Sequence, residues 1–166
     1  MTNLWPVEIE ATTLTSPVTI LRQQASFLGK KTKNIVLGEA KARENDDFDF
    51  SYIFYIVAPA LGNYRYKLLT IYYNIDLYPV IIEVGEEIYK EILGIKAETS
   101  SFFVALLHPP IYKIKNSFQA DSEDSFLNVL KVIFNSTKAK HIISALLAQS
   151  NVDYKSSSQS DKEIPK

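Results

Sequence analysis

Hydrophobic residues recur at every second position through much of segment 48–84, which is the period of a β-strand with one face turned to a core. One run precedes the break at Pro59 and Gly62, and two runs follow it. The alternating residues are Phe48, Phe50, Tyr52, Phe54 and Ile56, then Tyr64, Tyr66 and Leu68, then Tyr78, Val80, Ile82 and Val84. Short turns separate the runs, so the pattern predicts three strands in an antiparallel meander.

The same strands carry apolar residues at the positions in between. These are Ile53, Tyr55 and Val57 in the first strand and Leu69, Ile71 and Tyr73 in the second. An antiparallel sheet with one face in water is polar at alternate positions. We therefore expect the second face to be covered as well, by helices, by a ligand or by another copy of the chain.

Two further elements are predicted before the meander. Ser16 and Pro17 are typical of a helix start, with serine as the N-cap and proline in the first helical position. Val18, Leu21, Ala25 and Leu28 follow at helical spacing, and a basic run closes the helix. Segment 34–44 reads as a strand with small residues on one side, including Gly38, which would let a helix or another sheet approach closely.

Helices dominate the predictions for the second half. A short helix is expected at 86–93, ended by Gly94 in a left-handed cap. The apolar run 102–107 favours a strand, although its pairing with the main sheet is left open. Two helices follow, one opened by the acidic residues near Asp121 and the other over 138–149. Segment 151–166 is polar and serine-rich, which predicts a disordered tail.

Together these elements predict one α+β domain over residues 1–150. An N-terminal helix packs on a mostly antiparallel, meander-type sheet of four to six strands, and two C-terminal helices follow. This order resembles that of cystatin-like folds, whose sheets curl around a helix. The resemblance concerns architecture alone and implies no function.

Composition narrows the class of protein. The chain has 166 residues, 46% of them hydrophobic, no cysteine and a formal net charge of −1. The charge gives no overall field that would attract nucleic acid or anionic lipid. No apolar run reaches the 18 residues expected of a membrane span, and the N-terminus lacks the pattern of a signal peptide. We expect a cytoplasmic protein that does not enter a membrane.

No catalytic or ligand motif stands out. His108 and His141 are far apart and lack metal-ligand spacing, and neither a GxSxG nor a GxGxxG pattern occurs. The acidic cluster Asp46, Asp47 and Asp49 reads as a turn, because the glycine and the distal glutamate of a calcium loop are missing. We expect no catalytic residues, no metal and no cofactor, and a protein that is not an enzyme.

Three hypotheses about function follow. The first is a regulatory module that self-associates through its sheet, as a homodimer, or binds a small protein partner. Its expected contact residues are tyrosines, which are enriched in interfaces: Tyr55, Tyr64, Tyr66, Tyr72 and Tyr73. The second is a pocket for a small molecule, with or without enzymatic activity, between the sheet and the first helix, with polar groups from Asp76, Glu83 or His108. The third, which the charge disfavours, is nucleic-acid binding through Lys30, Lys31, Lys33, Arg65 and Lys67.

Overall fold

The computed structural model describes residues 1–45, 47–98 and 114–159, with the side chains of 95–98 and 152–159 excepted. The helices are α1 (Pro17–Lys31), α2 (Glu86–Glu98), α3 (Glu123–Phe134) and α4 (Thr137–Gln159). The strands are β1 (Leu37–Ala42), β2 (Phe50–Ala58), β3 (Tyr64–Tyr73), β4 (Val80–Val84) and β5 (Ser117–Ala120). The predicted α+β architecture, with a helix, a meander and two C-terminal helices, is confirmed.

The five strands form one sheet in the order of the chain, and each pairs antiparallel with the next. A turn of 3₁₀ helix, Pro59–Leu61, joins β2 to β3, and it ends at Gly62 in the left-handed conformation. The helices pack on one face of this sheet. The main core therefore lies between the strands and the helices, and its most buried large side chains include Leu21, Phe54, Ile71, Phe126 and Ile133.

The register of β3 corrects the face to which Leu69, Ile71 and Tyr73 were assigned. Phe54 pairs with Leu69 and Tyr55 pairs with Lys67, so Leu68 is an extra residue, a β-bulge. Beyond a bulge the alternation changes phase. Leu69, Ile71 and Tyr73 therefore lie on the helix-covered face with Leu68, and all four belong to the main core.

The opposite face is mixed rather than apolar. It carries Ser51, Thr70 and Glu83 beside Ile53, Tyr55, Val57, Tyr72 and Ile81. Phe48, Tyr72 and Ile81 form a small second cluster there, against which Ile114 packs. The assignment of Leu69, Ile71 and Tyr73 to this face was wrong because alternation was carried unbroken through Leu68.

Helix α1 begins and ends as its local sequence requires. The Ser16 side chain accepts a hydrogen bond from the backbone N–H of Thr19, and Pro17 occupies the first turn. At the other end Thr32 is the C-cap, and its hydroxyl donates to the Leu28 carbonyl over 3.0 Å. Asn34 then adopts a left-handed conformation, with φ of 62°. The chain thus turns sharply from α1 into β1.

Helix α1 lies unusually close to β1 at one glycine. A Cβ atom placed on Gly38 would be 2.5 Å from the Cα of Ala25 and 3.0 Å from the Phe54 ring. The absence of a side chain at Gly38 is therefore what allows the backbones to approach. The predicted close approach along this side of β1 is confirmed.

Helix boundaries in the second half differ from prediction. Helix α2 continues through Gly94 to Glu98, so Gly94 is helical and is not a cap. Helix α4 continues to Gln159, past the predicted end at residue 149. Strand β5 was not predicted, and segment 102–107 lies outside the described residues. The disorder expected of 151–166 in solution stays a prediction.

Residues 1–15 form an extended arm before α1. Trp5, the only tryptophan, is 77% exposed. The arm meets the body at Thr15, whose N–H donates to the Glu123 carboxylate over 3.0 Å and whose carbonyl accepts from the Tyr78 hydroxyl. Within the described ranges, none of the helices combines the length and apolar character needed to cross a membrane.

Candidate functional site

A cavity of about 760 Å³ opens on the helix-covered side of the sheet. Helix α1 forms one wall, α3 and the start of α4 form the other, and β2 and β3 form the floor. We call this cavity the cleft. The described residues that line it are Gln24, Phe27, Leu28, Lys30, Lys31, Phe54, Ile56, Leu68, Leu127, Leu130, Lys131, Phe134, Asn135, Ala139, Lys140 and Ile143.

The floor of the cleft is made of core side chains. Phe54 and Ile56 come from β2, and Leu68 comes from the bulge in β3. Each of the three is at most 2% exposed. Phe54 also packs against the Phe134 ring, with ring centroids 5.5 Å apart, which holds the end of α3 over β2. The floor is therefore apolar and well supported.

The wall helices are tied together away from the cleft. Thr15 links the start of α1 to Glu123 at the start of α3, whereas the cleft lies between the C-terminal halves of the two helices.

In the second wall, the chain turns from α3 into α4 at Asn135. The side-chain amide of Asn135 donates to the Lys131 carbonyl over 2.8 Å. Glu91 of α2 then accepts hydrogen bonds from the N–H and the hydroxyl of Thr137 and so caps α4.

Every charged residue among the described lining is a lysine. Lys30 and Lys31 lie in the last turn of α1, Lys131 in the last turn of α3, and Lys140 in α4. All four side chains are exposed, and the Lys30 ammonium lies 5.8 Å from the centre of the Phe27 ring. The cleft thus has an apolar floor and a positively charged rim.

Four other cations of the described chain are paired with carboxylates. The N–O distances are 3.0 Å for Arg65 with Glu39, 3.9 Å for Lys67 with Glu83, 2.7 Å for Lys90 with Glu86 and 2.7 Å for Lys138 with Glu87. Among the residues that the structure describes, none of the four rim lysines has such an ion pair. Lys33 and Lys41 also lack one among these residues, so the rim lysines are distinguished by their position around the cleft and not by the missing ion pair.

The five tyrosines predicted as an interface do not share one surface. Tyr64 is 49% exposed and Tyr66 half-buried on the helix-covered side of the sheet, and Tyr55 is half-buried on the other side. Tyr72 and Tyr73 are buried on opposite faces. Burial raises the pKa of each of these two to about 12.

Tyr72 and Glu83, predicted for different sites, lie together. The Tyr72 hydroxyl donates to the Glu83 carboxylate over 2.5 Å and accepts from the Arg43 guanidinium over 3.2 Å. Besides burial, the hydrogen bond to Glu83 helps to raise the pKa of Tyr72. This network lies on the face opposite the cleft, so Glu83 does not line it.

The remaining predicted residues are dispersed. Asp76 is exposed in the turn between β3 and β4, and His108 lies outside the described residues. Lys30 and Lys31 line the cleft, whereas Arg65 and Lys67 lie on the other face of the sheet, so the five basic residues form no single patch. No cluster of three or more metal-binding side chains occurs in the part of the chain described.

Comparison with known proteins adds no relative: no protein-family model, curated protein or solved structure matches the chain. Function is therefore inferred from the cleft itself. Sequence reasoning missed most of its residues. Phe27, which was not named as a site residue, is 52% exposed at the mouth of the cleft. Its position beside the basic end of α1 was the one signal that pointed to this site.

Proposed function

We propose that the protein binds a small, largely apolar molecule in the cleft. The observation that carries the proposal is an open cavity of about 760 Å³ whose floor consists of buried core side chains. Ligand pockets in proteins typically measure about 300–1,000 Å³ and combine apolar walls with a few polar groups. This is the hypothesis of a pocket between sheet and helix, with a different set of residues.

The lining favours binding over catalysis. Its polar groups in the described residues are four lysines, Gln24 and Asn135, with no histidine or carboxylate to act as a general base. Affinity would come mainly from apolar contact with Phe27 and Leu127, which are 52% and 38% exposed, because the floor side chains have almost no accessible surface left to bury. Each methylene transferred from water contributes about 0.8 kcal/mol, or roughly fourfold in affinity.

A neutral fluorescent probe, N-phenyl-1-naphthylamine, tests the proposal. We expect saturable binding with enhanced fluorescence. Leu127→Trp adds volume at the mouth of the cleft and should weaken binding about tenfold, since it displaces contacts worth about two methylenes. Leu93→Trp is the matched control, because Leu93 on α2 has the same 38% exposure and lies outside the cleft. Absence of saturable binding, or equal loss in both variants, would contradict the proposal.

Self-association through the sheet is a second candidate, favoured by the position of β1. Among the described strands this one pairs only with β2, and an edge strand of this kind can pair with another chain. Native mass spectrometry of the same sample tests both ligand binding and self-association, because it measures the mass of each species. A dimer would support self-association, a monomer at all concentrations would remove it, and added mass on either species would indicate a retained ligand.

A further inference from the structure

We infer that the ligand of the cleft is an anionic amphiphile: an alkyl or aromatic body with one carboxylate or phosphate head. The inference rests on the proposed function and adds the chemical class. Its basis is the convergence of four lysines from three helices on the rim of an apolar cavity that offers no carboxylate among its described lining residues.

The charge at the rim is strongly positive even after the helix ends are counted. The C-terminal ends of α1 and α3 each contribute about half a negative charge through their unpaired carbonyls. Four ammonium groups exceed that sum by about three charges. The chain as a whole has a net charge of −1, so this is a local property of the cleft.

The lysines and the apolar lining suit the two ends of one molecule. Lysine stems are long and flexible, so Lys31 and Lys131 can close on an anionic head from opposite walls while their charges stay in water. The body of the ligand then lies against Phe27 and Leu127, whose apolar side chains are exposed at the mouth of the cleft. A nucleic acid is a poorer match, since it would leave this apolar surface uncovered.

The expected preference for an anion is modest and sensitive to salt. Single exposed ion pairs are weak, and two or three of them together give roughly a tenfold gain in affinity. Because exposed charges are screened over about 10 Å at 0.1 M salt, the preference should shrink as the salt concentration rises. Binding of a neutral ligand should respond far less.

Four probes with the same decyl chain separate the head from the body: undecanoate, decyl phosphate, decanol and decyltrimethylammonium. Each competes with N-phenyl-1-naphthylamine on the full-length chain, below its micellar concentration. We expect the two anions to displace the probe at about tenfold lower concentration than decanol, and the cation to be weakest. The stronger of the two anions identifies the head group.

Substitution of two rim lysines tests whether the preference for anions comes from the rim. Lys31→Gln with Lys131→Gln should bring the anions to the affinity of decanol, with binding of decanol itself unchanged. Lys33→Gln with Lys41→Gln is the control, because both lysines are exposed and lie outside the cleft. Unchanged decanol binding also shows that the rim variant is folded.

The outcomes distinguish the two proposals. Equal displacement by all four probes would overturn the anionic class and leave the proposed function standing. An anion preference that survives the rim substitutions would equally overturn the inference, because the lysines would not be its source. If none of the four probes displaces N-phenyl-1-naphthylamine, or the dye does not bind, the proposed function fails as well.

Discussion

Replacing Gly38 by alanine tests the closest contact in the fold. The new Cβ would lie 2.5 Å from the Cα and 2.8 Å from the Cβ of Ala25. Favourable carbon–carbon contacts lie at about 3.5–4.0 Å. Because the nearest atom belongs to the backbone, no rotamer change relieves the clash, and α1 must move away from β1 by about 1 Å.

The loss of stability expected for Gly38→Ala follows from the cost of overpacking a core. An added methyl group in a packed core typically destabilises by about 1–3 kcal/mol. A clash with backbone puts Gly38→Ala in the upper part of that range, at about 2–3 kcal/mol. For a chain of this size each kcal/mol lowers Tm by about 2–4 °C. We therefore expect Tm to fall by roughly 4–12 °C.

Gly94→Ala is the matched control and should have the opposite sign. Gly94 lies inside α2, and a methyl group added there would meet no atom within 4 Å, so alanine should stabilise by about 0.5–1 kcal/mol through helix propensity. Urea denaturation followed by circular dichroism measures both variants. A cost below about 0.5 kcal/mol for Gly38→Ala would refute the close approach of α1 to β1. Destabilisation by Gly94→Ala would instead indicate that Gly94 adopts the left-handed cap conformation that was predicted from the sequence.

Two other predictions concern titration and capping. Tyr72, Tyr73 and Tyr78 should ionise near pH 12 in the native protein, because burial raises the pKa of each from 10.0. Folding then favours their protonated form, so the stability they contribute is complete below pH 10 and is lost as the pH rises toward 12. Ultraviolet titration checks this, and ionisation of all ten tyrosines together near pH 10 would contradict it. Ser122→Ala removes the side chain that accepts from the Ser125 N–H at the start of α3, and should cost about 1 kcal/mol in urea denaturation. Ser26→Ala, on the exposed side of α1, should be nearly neutral, and equal costs would argue against the cap.

Much of the architecture was predictable because its signals are local. Ser16 and Pro17 start α1 through a side-chain cap and a fixed φ, and both are visible in a few letters of sequence. The meander follows from period-two alternation and short turns. The acidic turn before Phe126 likewise located α3. These signals can be read from the sequence without knowing which helices and strands pack together.

The missed features depend on partners distant in the chain. Strand β5 has only four residues, two of them polar, and all four are buried because it pairs with β4. Gly94 was assigned to a cap on its residue type, but a glycine also continues a helix at a cost of about 1 kcal/mol. The cleft is the extreme case, since Lys30 and Lys131 line one cavity only after three helices have packed on the sheet.

The bulge at Leu68 connects the wrong prediction to the proposed site. Without a bulge, Leu69, Ile71 and Tyr73 would form a second apolar face that helices, a ligand or another chain had to cover. The observed register places them beneath the protein's own helices, on the same side as Leu68. Leu68 lines the cleft, whereas the other three bury their apolar surface in the main core. The extra residue in β3 thus moves apolar surface away from an expected interface and into the core, which weakens the case for a partner chain.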